Sequence, residues 1–161
     1  MLKRIAAALL LPLMLACFFG CKRENVFTHA EFNLPLPDDF YEVEPVNSDM
    51  LMTNGEVTVA VSRYSYASEN IPSYLTAEIF AEYCLDKGGI DSVVYMYGDV
   101  PYFTYYSSAS GSSLYCVATF YSTPYAYFSV LFATSASLEE QWRDQFLSIA
   151  DGAYYTTEGS S

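Results

Sequence analysis

The sequence predicts an α+β domain in which an antiparallel β-sheet is covered by two amphipathic helices. Three observations predict it. Apolar and polar residues alternate with period two in several runs, most clearly where Val57, Val59 and Val61 alternate with Thr58, Ala60 and Ser62. Two other segments, ending near Lys87 and Ala153, carry apolar residues at helical spacing instead. The strand runs are joined by hairpin-length connections, which suit antiparallel pairing; parallel strands need long crossovers. An amphipathic helix must bury its apolar stripe, and the sheet is the surface available.

The elements follow in order. Phe27 to Asn33 reads as extended and leads into LPLPDDF, residues 34–40, where Pro35 and Pro37 break any helix and favour a turn. Residues 50–66, MLMTNGEVTVAVSRYSY, predict a hairpin with Asn54-Gly55 as a type I′ turn. A helix is expected from Ser73 or Thr76 to Lys87, with Ala77, Phe80, Ala81 and Cys84 on one face and Gly88-Gly89 as a left-handed stop. Strand-rich runs follow at 93–108, 113–122 and 125–134. The last helix is expected to open on Ser137, with Glu140 completing a capping box. Leu138, Trp142, Phe146, Ile149 and Ala153 form its apolar face.

The N-terminus reads differently. Lys3 and Arg4 precede an apolar stretch from Ile5 to Phe19, the pattern of an export signal. The stretch is shorter than the roughly 20 residues a membrane span needs. It resembles a bacterial lipoprotein signal, in which the cysteine after the lipobox becomes the first mature residue and carries lipid. Cys21 is followed by the polar Lys22-Arg23-Glu24-Asn25, whereas the alternative, Cys17, is followed by Phe18-Phe19. Cys21 is therefore the expected anchor, although Phe18 is a poor residue three positions before it. The expected organisation is a signal at 1–20, a lipidated cysteine and irregular polar tether at 21–31, one α+β domain at 32–155 and a frayed tail at 156–161. The domain would be held on the cell membrane, facing outside the cytoplasm.

The chain has 161 residues with 19 acidic and 7 basic side chains, a formal net charge of −12. Beyond residue 23 the only basic side chains are Arg63, Lys87 and Arg143. Nucleic-acid binding rests on Lys and Arg neutralising phosphates, so that class is excluded.

The segments F-x-L-P-x-P-x-x-F (32–40), V-T-V-A-V (57–61), Y-L-T-A-E-I-F-A (74–81), G-x-x-P-Y-F-T-Y (98–105) and W-x-x-x-F-L-x-I (142–149) resemble, in this order, the PsbP-like superfamily. Its members include PsbP, the Ran-binding import factor Mog and bacterial lipoproteins related to DcrB. The resemblance spans roughly residues 27–154 and implies an α-β-α sandwich with an accessory or binding role. No residues match a PsbP metal site or the Ran-binding surface, so neither activity carries over.

Side chains able to do chemistry are few. His29 is the single histidine and falls in the tether region, so histidine-dependent triads would all rest on it. Asp38, Asp39, Glu42 and Glu44 match no calcium-loop spacing and read as a solvated turn. Cys84 and Cys116 leave a disulfide and two buried thiols both open. There are 16 tyrosines. Tyr95 with Tyr97, and Tyr125 with Tyr127, are expected to share strand faces and mark a candidate binding face, while strand propensity alone also explains such tyrosines. The expectation is a non-catalytic envelope module without metal or cofactor that binds another envelope protein. The alternative is a small-ligand or glycan module, which predicts an open aromatic cleft instead of a flat face.

Overall fold

The computed structural model describes residues 24–69, 71–109 and 111–157. The signal at 1–20, Cys17 and Cys21 lie outside the described residues. The described residues are α+β, with ten strands in two antiparallel sheets and two helices.

Strand β1 (Glu24–His29) pairs with β2 (Phe32–Pro37), and the late strand β10 (Tyr154–Tyr155) adds to the other edge of β2. The expected tether is thus largely a strand. Its polar composition hid it, because only Val26 and Phe27 are large and apolar. Pro35 and Pro37 lie inside β2 and not in a turn. They are tolerated because β10 pairs only with Phe32 and Asn33, leaving the proline-bearing stretch a free edge. The tail does not fray at once, since the Thr156 amide donates to the Glu31 carbonyl at 2.8 Å.

The large sheet has seven strands in the order β3-β4-β5-β9-β8-β7-β6. These are β3 (Tyr41–Val43), β4 (Met50–Thr53), β5 (Val57–Ser65), β6 (Tyr95–Tyr97), β7 (Val100–Ala109), β8 (Ser112–Ser122) and β9 (Ala126–Ser135). Both edge strands have three residues, short enough to discourage edge-to-edge pairing. Val57, Val59 and Val61 are buried, as their alternation predicts. The β4–β5 turn differs in type. Only Gly55 has positive φ (93°), so the loop is Gly55-Glu56 with the pattern of a type II′ turn, and Asn54 Oδ1 instead accepts from the amides of Glu56 and Val57. The run at 93–108 is two strands, folded back at Gly98 (φ 57°).

Helix α1 (Ala77–Gly88) begins where Thr76 caps the Ile79 amide and ends at Gly89 in the left-handed conformation. Helix α2 (Glu139–Asp151) is preceded by a 3-10 turn, Ala136–Leu138. The expected capping box is absent: Ser137 sits inside that turn, and its hydroxyl pairs with that of Ser135 at 2.9 Å. Ala153 falls beyond the helix, while Leu147 and Ala150 join Trp142 and Phe146 in its buried stripe.

The helices lie on opposite faces of the large sheet but cover it unequally. α1 sets Phe80, Ala81 and Leu85 against Phe103, Phe120 and Tyr127. α2 shares the other face with the small sheet, and Trp142 and Phe146 meet Phe32, Leu34, Val59, Phe128 and Phe132 in the main core. The two-helix sandwich is therefore incomplete, because β1 and β2 do part of the covering. Full burial of each large apolar side chain contributes about 1.5–3 kcal/mol, which is why both layers hold. The small sheet is also held by Glu31. Its carboxylate accepts from Thr123 Oγ1 at 2.9 Å and pairs with Arg63 Nε at 3.4 Å.

Candidate functional site

Strand alternation places Tyr102, Thr104 and Tyr106 on one face of β7. The register sets Tyr106 opposite Tyr115 and Thr104 opposite Val117 on β8. On the other side Tyr95 of β6 faces Tyr102, their ring centroids 5.6 Å apart. Helix α2 crosses beside this tyrosine row. Glu139, Arg143 and Leu147, spaced by four, fall on its adjoining side. The result is a cleft of about 340 Å³ walled by Tyr95, Tyr102, Tyr115, Thr104 and the Glu139–Arg143 pair, with Val117 and Leu147 as its apolar part.

Its polar groups are linked to one another. Tyr106 donates its hydroxyl hydrogen to Glu139, and Arg143 pairs with the same carboxylate. The Arg143 guanidinium lies 5.9 Å from the Tyr115 ring centroid. The Tyr106 hydrogen bond, then Arg143, holds the Glu139 carboxyl below its ordinary range. The same bond to Glu139 pushes the Tyr106 hydroxyl up. Burial pushes the Tyr115 hydroxyl up, and Arg143 partly offsets it. Glu139, followed by Tyr115, keeps Arg143 firmly charged. A guanidinium has five donors in a planar fork, so those not engaged by Glu139 remain for a ligand. The arrangement offers aromatic faces, hydroxyls and a charged fork whose charge is balanced, which is equipment for recognition.

The four tyrosines singled out in the sequence separate. Tyr95 lines the cleft. Tyr97 is exposed on the same edge strand, and Tyr125 is exposed just before β9. Tyr127 is fully buried beneath α1, so it belongs to the core and to no binding face. Cys84 and Cys116 are both free, the first half-buried and the second buried. Burial pushes the Cys84 thiol up to about 11 and raises that of Cys116 as well. Among the described residues no cluster of three or more His, Cys, Asp or Glu is placed to hold a metal, and no helix is long and apolar enough to cross a membrane. Sequence reasoning missed Tyr102, Tyr115, Glu139 and Arg143 as site residues. The available signal was the spacing of Arg143 four residues after Glu139, in a domain with few cations.

No family model matches the chain, and no curated protein matches it in sequence. Solved structures do. A crystal structure from Bacteroides thetaiotaomicron superposes with a TM-score of 0.59 at 14% identity, over 87% of this chain and 51% of the other, so this chain spans about half of that one's length. The solution structure of cyanobacterial PsbP from Synechocystis gives a TM-score of 0.54 at 11% identity, over 85% of this chain and 95% of that one. LpqN, described as involved in cell envelope biogenesis of Mycobacterium tuberculosis, gives 0.48 at 12% identity, over 83% and 91% of the two chains. At such identities the likeness concerns architecture alone, and on that level the fold of this chain is PsbP-like.

Proposed function

We propose that this protein is a lipid-anchored accessory module of the cell envelope that works by binding and not by catalysis. The observation that carries the binding reading is the tyrosine cleft beside the Glu139–Arg143 pair. Its polar groups are hydrogen-bonded to one another, with Arg143 donors to spare and without a nucleophile activated by a base. The anchoring half of the reading is supported by the N-terminal pattern, a basic tip and apolar run ending at Cys21 before polar residues. Two acyl chains or more anchor stably where one binds only marginally.

The concavity of the cleft favours a second reading over a flat protein-docking face: a small ligand or glycan stacked on Tyr95 and Tyr102. One experiment separates the two. A photo-crosslinking residue replaces Tyr95 or, as a buried control, Tyr127, in intact cells fed a labelled fatty acid, alongside Cys21→Ser and Cys17→Ser. A protein trapped from position 95 alone, lost together with acyl label in Cys21→Ser, supports the anchored protein-binding module. Normal labelling with adducts to glycan or small molecules favours the second reading. Acyl label persisting in Cys21→Ser and vanishing in Cys17→Ser would move the anchor. No adduct of any kind at position 95 would sink the cleft as a recognition site.

A further inference from the structure

We propose that a second cavity, where β7 begins and β8 ends, binds an organic cation: an ammonium group on an aromatic or short aliphatic body. The cavity has a volume of about 530 Å³ and is distinct from the tyrosine cleft. Its walls are aromatic, with Phe120 and Tyr121 from β8 and Tyr154 and Tyr155 from β10. Tyr121 offers its ring and not its hydroxyl, which donates to the Ala150 carbonyl at 2.9 Å. Tyr154 and Tyr155, which line it, are 49% and 47% exposed.

The charges lining the cavity have one sign. Asp99 comes from the β6–β7 turn and Asp151 from the end of α2, and both line it. The two elements meet closely here, since a Cβ placed on Gly98 would stand 3.3 Å from an Asp151 carboxylate oxygen. Among the described residues lining the cavity there is no Lys, Arg or His. An anion is repelled by this pair and by the net charge of −12. A neutral polyol could donate hydroxyls to the two carboxylates but would leave their charge uncompensated. An organic cation gains from both features, its charge lying over tyrosine faces within reach of carboxylates and its body against the apolar wall. The tyrosine cleft differs in carrying Arg143, whose charge Glu139 balances, so it lacks the uncompensated acidic pair of this cavity.

The test titrates benzyltrimethylammonium chloride into the full chain, with benzyl alcohol and benzoate as controls sharing the ring but not the charge. NMR shifts follow Asp99, Asp151, Tyr154 and Tyr155. The expected result is saturable shifts at these residues with the cation alone, weakening as salt is raised. Asp99→Asn with Asp151→Asn, both at exposed positions, should lower affinity about tenfold, as loss of two partly screened charge contacts implies. Tyr154→Leu should weaken binding and Tyr95→Leu should leave it unchanged, which keeps this site separate from the cleft. Absence of saturable shifts, equal binding of benzyl alcohol, or an unaltered affinity in the double variant would each overturn the proposal.

Discussion

Tyr127 and Tyr95 are the same residue type in one sheet, on strands separated by β8 and β7, yet they sit in opposite environments. Beneath α1, Tyr127 stacks on Phe80 with ring centroids 4.4 Å apart, and its hydroxyl lies 2.8 Å from the Pro72 carbonyl and 2.9 Å from that of Leu75. Beside α2, Tyr95 pairs with Tyr102 but leaves an open cleft before them. The difference lies in what covers the strand. α1 lies over Tyr127, while the stripe of α2 is spent on the main core and only its flank reaches the tyrosine row. A tyrosine becomes core or open surface according to the face its strand gives it and to what the helix on that face covers.

The sharpest way to break this comparison is to remove the ring that Tyr127 rests on. Phe80→Ala should cost about 3–5 kcal/mol in urea unfolding, the range for deleting a buried aromatic; a loss below about 1 kcal/mol would show the α1 layer is not packed as described. Tyr127→Phe keeps the ring and deletes the hydroxyl. It should cost about 1 kcal/mol, because the part-buried hydrogen bond that the hydroxyl shares between the Pro72 and Leu75 carbonyls is lost, and an unchanged melting temperature would contradict that bond.

Glu31 tests whether the small sheet belongs to the same core. Burial alone would raise its carboxyl, but bonds from its own backbone amide, Thr123 and Arg63 outweigh this and hold it below the ordinary value of 4.5. A lowered folded value means stability that is present above that pH and lost as pH falls through the folded value. Glu31→Gln should therefore melt earlier than wild type at neutral pH, with the gap closing below pH 4.5 in a series of melts. A gap independent of pH would assign the effect to packing.

On the cleft side the effects on stability should be small. Tyr95→Ala should stay within about 0.5 kcal/mol of wild type, as for surface substitutions generally, while abolishing any adduct or ligand seen there; a larger loss would make Tyr95 scaffold too. The smallest effect is a titration. Arg143 lowers the Tyr115 hydroxyl against the rise caused by burial, so Arg143→Gln should move Tyr115 further up. NMR of ring-labelled tyrosine reads this, and a downward move would refute the contact.

Much of the architecture was legible because it rests on periodicity. Val57, Val59 and Val61 alternate and are buried, and Thr76, Phe80 and Gly89 mark α1 by cap, stripe and stop. β1 was legible only from Phe27 on, because a strand paired on one side needs little apolar content, and residues 24–26 show little. The α2 cap was misread because Ser137 satisfies the capping rule locally while the chain spends those residues on a 3-10 turn. The site was less legible still. Tyr95 could be named from composition, but the convergence of β7, β8 and α2 on it depends on register and on how α2 crosses the sheet. An aromatic with a polar tip fits both core and surface, so sequence alone could not sort Tyr127 from Tyr95.

Under the proposed lipid anchoring, the early start of β1 would set how far the domain can travel. With lipid on Cys21, only Lys22 and Arg23 separate the acyl chains from Glu24. Three extended residues reach about 10 Å. Anchored as proposed, a domain on so short a leash would skim the bilayer and search in two dimensions, meeting what is embedded in or lying on the same membrane. An anchor at Cys17 would lengthen the leash to about 24 Å, enough to lift the whole domain clear. Under the proposed anchoring, the choice of cysteine would thus set the radius of encounter.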